Sequence, residues 1–138
     1  MAWVVDTCVL IDILDHDPDF GVPSARLLMK KRQGARSLVI CPVTYVELAP
    51  AVSGSPAWLE EFLKGVGVAW HDAWTFEDTR AAFEAWQRAI EKKRRKKGAR
   101  RPVADILIGA YAQRREGLIT RNIADFRVLF PSLPMLAP

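Results

Sequence analysis

Cysteine, histidine and long apolar runs are all scarce in this chain of 138 residues, and each shortage closes off a class of protein. Cys8 and Cys41 each lie inside an apolar stretch. That usage offers no disulfide scaffold and suits a reducing cytoplasm, where small buried thiols are ordinary. His16 and His71 are too isolated for a zinc site or a histidine-based ribonuclease, so surface positions are expected for both. No stretch reaches the roughly 18 apolar residues of a membrane span. The first residues, Met1 to Val5, reach the carboxylate of Asp6 without the basic opening of an export signal. The expectation is a soluble, unexported protein of the cytoplasm with no membrane contact. Internal repeats and flexible interdomain linkers are also missing, and 50% of the residues are apolar. One domain over residues 1–138 with a proper core follows from that balance.

What is present is unevenly placed. The net charge is +4, yet residues 88–101 hold nine of the 20 basic side chains and one of the 16 acids. The other 11 basic and 15 acidic side chains leave the rest of the chain at −4. An acidic body with one concentrated basic segment fits a polyanion held near an acidic, cation-binding site. The basic run Lys92, Lys93, Arg94, Arg95, Lys96, Lys97, Arg100 and Arg101 has a plainer reading too. It could be a solvated helix end whose cations favour the helix C-terminus. Arg101 stands four residues before Asp105, which favours phosphate binding beside the acids, with Lys92, Lys93, Arg94, Arg95, Arg100 and Arg101 as the expected contacts to the polyanion.

Short β runs alternate with longer helical segments, the pattern of an α/β fold around a mostly parallel sheet. Residues 3–5 read as a buried strand. Asp6 and Thr7 then supply cap chemistry for a helix whose Val9, Leu10, Ile13 and Leu14 recur at helical spacing. Helices are expected over residues 25–32, from Pro42 through 48, over 58–64, from Thr75 toward the basic run, and from Pro102 to before Gly117. Thr75 and Asp78 have the spacing of a capping box, with Asp in place of the usual Glu. Further strands are expected at 38–41, 67–70 and 118–120, and the tail 131–138 has no assignable pattern. The helix over 103–112 is apolar nearly all round, so it is expected to be buried, with Asp105 as its one charge. The tryptophans Trp3, Trp58, Trp70, Trp74 and Trp86 read as core or interface anchors, with Trp58 or Trp86 the choice for a protein interface.

Sorted by their neighbours, most acids are explained by solvation: Asp15, Asp17, Asp19, Glu60, Glu61, Asp72, Glu77 and Asp78 sit among polar or turn residues, and Asp12 falls off the core stripe of its helix. Four do not fit that account. Asp6 ends the first strand, Glu47 lies among Tyr45, Val46 and Leu48, Asp105 begins the buried helix, and Asp125 follows the last strand. Each has an ordinary explanation: Asp6 as a cap, Asp105 as a partner of the helix dipole, Asp125 as a turn organiser. Together they lie near the carboxyl ends of parallel strands, where ligands collect. Four converging carboxylates would repel one another and raise one another's pKa, a conflict that a hard divalent cation with oxygen ligands removes.

The segments VVDTCVLID at 4–12, TYVEL at 44–48, DILIGAYA at 105–112 and LITRNIADF at 118–126 resemble, in order and spacing, the four motifs of PIN domains, in particular VapC toxins. The resemblance spans nearly the whole chain. It implies a Rossmann-like α/β fold and Mg²⁺- or Mn²⁺-dependent endoribonuclease activity, together with a homodimer and a cognate VapB-like antitoxin. The acids carry over onto Asp6, Glu47, Asp105 and Asp125, with Thr120 and Asn122 as hydrogen-bonding support. In that reading Asp6, Asp105 and Asp125 hold the metal, directly or through water, and Glu47 completes the shell or helps position and deprotonate a water. The dense basic run is a departure from the family pattern. Rival readings are a DNA structure-specific nuclease, for which the chain looks short, a receiver-like phosphoacceptor, and a non-catalytic RNA-binding PIN module. A receiver would want an acidic pair where Asp6 is followed by Thr7, and a dead PIN module would normally lack one of the acids.

Overall fold

The computed structural model describes residues 1–34, 37–95 and 103–138, with the side chains of 92–95 outside that description. The chain runs β1 (Trp3–Val5), α1 (Thr7–Leu14), α2 (Gly21–Gln33), β2 (Leu38–Val39), α3 (Pro42–Glu47), a 3₁₀ turn (Ala49–Val52), α4 (Pro56–Val66), β3 (Val68–Ala69), α5 (Phe76–Arg95), α6 (Val103–Gln113), β4 (Gly117–Ile119), α7 (Ile123–Leu129) and β5 (Met135–Leu136). The strands form one sheet in the order β3-β2-β1-β4-β5, and every pairing is parallel. This is the Rossmann-like α/β architecture expected, with a wholly parallel sheet.

Parallel strands need crossover helices, which cover both faces and leave the strands apolar throughout. Val4 aligns with Leu118 and Val5 with Ile119 in the ladder. By strand alternation, Val4 and Leu118 point to the side packed by α5, α6 and α7, where Tyr111, Phe126 and Phe130 are fully buried. Trp3, Val5 and Ile119 point to the other side, against Leu10 of α1, Leu28 of α2 and Leu59 and Leu63 of α4. Each such buried side chain contributes about 1.5–3 kcal/mol from leaving water. The helix carrying Asp105 is buried as its composition demands: Ile106, Ile108, Gly109, Ala110, Tyr111 and Ala112 are all inaccessible. Gly109 is required there, because a Cβ at that position would run into the Phe130 ring.

Several local expectations need revision. The second helix begins at Gly21, not Ala25, because Asp17 Oδ1 takes the N–H of Phe20 at 2.8 Å and of Asp19 at 2.9 Å just ahead of it. Residues 123–129 form a helix and the tail adds a fifth strand, neither of which was expected. Thr75 and Asp78 do form a reciprocal cap: Thr75 N–H donates to Asp78 Oδ2 at 2.9 Å and Asp78 N–H to Thr75 Oγ1 at 3.4 Å. Asp78 is nevertheless only 1% exposed, not solvated, because the fold brings Arg115 to 3.4 Å from its carboxylate. No helix among the described residues is long and apolar enough to cross a membrane.

Candidate metal centre at the carboxyl edge of the sheet

β1 and β4 lie side by side in mid-sheet, so the residues that follow them, Asp6 and Thr120, are neighbours in continued register. The backbone holds that register, since Asp6 N–H donates to Ile119 O at 2.9 Å. The side chains then meet: Thr120 Oγ1 donates to Asp6 Oδ2 at 2.7 Å, and Cys8 Sγ approaches the same oxygen at 3.3 Å. Asp6 Oδ1 accepts from Thr7 N–H at 2.8 Å, which makes Asp6 the cap of α1. The cap reading of Asp6 thus holds through Oδ1, while Oδ2 is taken by Thr120 and Cys8. Asn122 is exposed, and its backbone N–H, not its side chain, donates to Thr120 Oγ1 at 3.0 Å.

Thr7 connects the first strand end to the second. Its hydroxyl lies 2.7 Å from Glu47 Oε1 and 2.9 Å from Thr44 Oγ1, both on α3. Glu47 itself is exposed, and so is Val46, so the apolar surroundings read from the sequence are not what distinguishes this acid. Asp105 enters half-buried from the first turn of α6, and Asp125 from the first turn of α7, where it is exposed.

The charges of the other three acids act on Asp105. Burial raises the Asp105 carboxyl to about 6, and the charges of Asp6, Asp125 and Glu47 add to the rise. Asp6 is raised as well, by burial first and in smaller part by Glu47, against the opposing hydrogen bonds of Thr120, Cys8 and Thr7. The Cys8 thiol is pushed up to about 12 by burial and by Asp6, so it stays protonated beside the carboxylate.

Among the described residues, no group of three or more His, Cys, Asp or Glu side chains is arranged to hold a metal ion as it stands. Asp6 Oδ2 and Glu47 Oε1 are instead each engaged by a threonine hydroxyl. The donor chemistry fits a hard divalent cation all the same: carboxylate and hydroxyl oxygens, no imidazole, and neighbouring anionic charge that adds to the burial of Asp105 in raising its carboxyl.

The family profile described as "PIN domain" matches residues 3–128. The chain belongs to the PIN-domain family. PIN domains are generally nucleases that use divalent metal ions. A chain in the crystal structure of VapBC2 from Rickettsia felis, bound to a DNA fragment from its promoter, is similar in fold, with a TM-score of 0.70 and 23% identity over 99% of this chain and 98% of that one. No curated protein matches the sequence.

Two further groups bear on this PIN domain. Lys92, Lys93, Arg94 and Arg95 lie on the last turn of α5, while Arg100 and Arg101 fall outside the described residues. Sequence reasoning missed a second feature of the same sheet edge. Asp12 is 5% exposed rather than solvated, and Arg121 meets it with Nη2 at 3.2 Å from Oδ1 and Nε at 3.0 Å from Oδ2. The position of Arg121 directly after Thr120 was the available signal.

Proposed function

We propose that this PIN domain, spanning residues 1–138, is a Mg²⁺- or Mn²⁺-dependent endoribonuclease of the cytoplasm and the toxin of a VapB–VapC-type pair. One observation carries the nuclease reading: acids from four separate elements, Asp6, Glu47, Asp105 and Asp125, interact electrostatically at the carboxyl edge of the sheet. Asp6, Asp105 and Asp125 would hold the ion, with Glu47 completing the set. Bound there, a divalent ion neutralises the phosphodiester's charge, polarises its phosphoryl oxygen and acidifies water. Glu47, exposed and tied through Oε1 to the Thr7 hydroxyl, would complete the shell or accept a proton from an attacking water. Thr120 fixes Asp6 through its 2.7 Å hydrogen bond to Oδ2. Lys92, Lys93, Arg94, Arg95, Arg100 and Arg101 would hold RNA through its phosphates, with little regard to base sequence.

The structural neighbour is a VapBC complex, which supports a VapB-like antitoxin as partner here. A peptide that lays apolar side chains on the surface of this domain and brings an Arg or Lys to the acids would take the place of the metal. A homodimer is supported by the apolar groove of about 350 Å³ between α5 and α6, lined by Ala82, Phe83, Trp86, Val103, Ile106 and Leu107. Phe83 beside it is 74% exposed.

The test is a mixed panel of RNA and DNA substrates incubated with Mg²⁺, Mn²⁺ or EDTA. RNA cleavage abolished by EDTA is the expected result. DNA cleavage without RNA cleavage would select a structure-specific DNA nuclease, and RNA binding without cleavage would select a non-catalytic module.

A further inference from the structure

We propose that Arg121 is a substrate-binding residue of this site, whose pinned guanidinium takes an RNA phosphate flanking the one attacked. The inference rests on the nuclease reading above and names a residue that reading does not use.

Arg121 leaves the end of β4 immediately after Thr120, and its side chain runs along α1 rather than into the acids. It is not among the charges that shift Asp6 or Asp105, whereas it does act on Asp17 at the turn between α1 and α2. Its guanidinium is fixed on two sides. Asp12 contacts Nε and Nη2 from beneath, and the Phe20 ring lies 4.4 Å from the guanidinium carbon. An arginine so held has little rotamer freedom left to lose on binding a ligand.

Stability is a weak reason for such an arrangement. A carboxylate as buried as Asp12 loses its hydration, and pairing it with one cation does little better than an apolar pair of the same size. The geometry of the pair is not saturated either: Arg121 Nε stands near Asp12 Oδ2 without an aligned hydrogen bond, and that oxygen has no other partner in the described structure. A guanidinium carries five N–H donors. The contacts with Asp12 use Nε and one bond from Nη2, and the side chain remains 37% exposed. Donors thus remain uncommitted on a partly exposed side chain two residues past the end of β4.

Their chemistry matches a phosphodiester oxygen. Outside residues 88–101 this chain has a net charge of −4, so a polyanion that reaches the acids passes over a repelling surface. One cation held rigidly at the rim reduces that repulsion without neutralising the acids, which the metal needs charged. Arginine serves better than lysine, since its planar fork can contact Asp12 and the phosphate at once while stacked on Phe20. Asp12 is then the positioning residue and Arg121 the one that touches substrate.

Removing Arg121 alone would strand a buried charge, so the main variant is the double exchange Asp12→Asn with Arg121→Gln, which leaves a neutral amide pair. Cleavage kinetics are measured on a short single-stranded RNA with Mn²⁺. Binding of the same RNA in EDTA is measured across a salt series, with the catalytic exchange Asp105→Asn added to both proteins. The expected result is a roughly tenfold rise in KM, the worth of one charge-assisted hydrogen bond, with kcat little changed. The slope of log affinity against log salt should fall by about 0.7, one phosphate contact on a single strand. Arg121→Lys should restore the slope but leave KM above wild type. A folded double variant with wild-type KM and salt slope overturns the inference, as does a fall in kcat alone, which would mark a structural clasp. If the double variant does not fold, Arg121→Lys decides: a KM equal to wild type's overturns the inference, and a raised KM with the wild-type slope supports it. Wild-type protein that neither binds nor cuts RNA overturns the nuclease reading and this inference with it, whereas wild-type cleavage with unmoved variants overturns this inference alone.

Discussion

Replacing Asp105 by asparagine keeps the shape of the side chain and removes its charge from the crowd at the sheet edge. Its carboxyl is raised from 3.8 to about 6, by burial and by Asp6, Asp125 and Glu47. A group whose folded pKa lies above its unfolded value favours the fold fully below the unfolded value and loses that contribution as pH rises through the folded one. Ionised Asp105 therefore opposes folding above about pH 6, the value its carboxyl reaches in the fold. A shift of about two units corresponds to about 3 kcal/mol, and solvent screening of a half-buried group reduces this to about 1–2 kcal/mol. With an unfolding entropy of about 2.1 cal/mol/K per residue, the metal-free Asp105→Asn protein should melt about 3–7 °C above wild type at pH 7.5. The gap should close as pH falls toward 4, where both side chains are neutral. Melting curves in EDTA over that pH range measure it. Adding Mg²⁺ or Mn²⁺ should reverse the ranking, because about 2.7 kcal/mol accrues to wild type at a hundred times its dissociation constant. A metal-free variant no more stable than wild type at pH 7.5, or a gap independent of pH, would refute the account of Asp105 as a repelled member of a cation-binding cluster.

Thr120→Val preserves volume but leaves Asp6 Oδ2 without its 2.7 Å donor, and should cost about 1–2 kcal/mol and lower cleavage more than RNA affinity, as read by melting and steady-state kinetics. Gly109→Ala puts a methyl into the Phe130 ring, and chemical denaturation should show a loss of about 1–3 kcal/mol with activity kept by the fraction that remains folded. Exchanging Lys92, Lys93, Arg94 and Arg95 together for glutamine should weaken RNA binding for every sequence and flatten its salt dependence, by about 0.7 in slope for each single-strand phosphate that is no longer neutralised. An unchanged salt series would leave that run as a solvated surface.

How much of this is legible in the sequence depends on whether the deciding partner is local. Asp6 is legible because a strand, a carboxylate and a helix follow one another within a few residues, and the helix of Asp105 because its apolar residues run all round. Glu47 stands out in the sequence on a ground that the fold removes: its neighbour Val46 is 71% exposed, and what sets the carboxylate in place is a hydroxyl 40 residues away in the chain. Asp12 and Asp78 mislead in the same way. Both look solvated beside their sequence neighbours, yet each is buried against an arginine that flanks β4: Arg121, after the strand, for Asp12 and Arg115, before it, for Asp78. The α7 helix and the β5 strand are too short to show a period, and they form because Phe126, Leu129, Phe130 and Leu133 close the core over α6. Periodicity thus identifies what an element buries of its own accord. The charges that tertiary structure buries escape it, and here they include the Asp12–Arg121 pair at the edge of the site. A sequence that spends a buried carboxylate to orient one exposed arginine is specifying geometry at that rim, where a phosphate would arrive, more than it is adding stability.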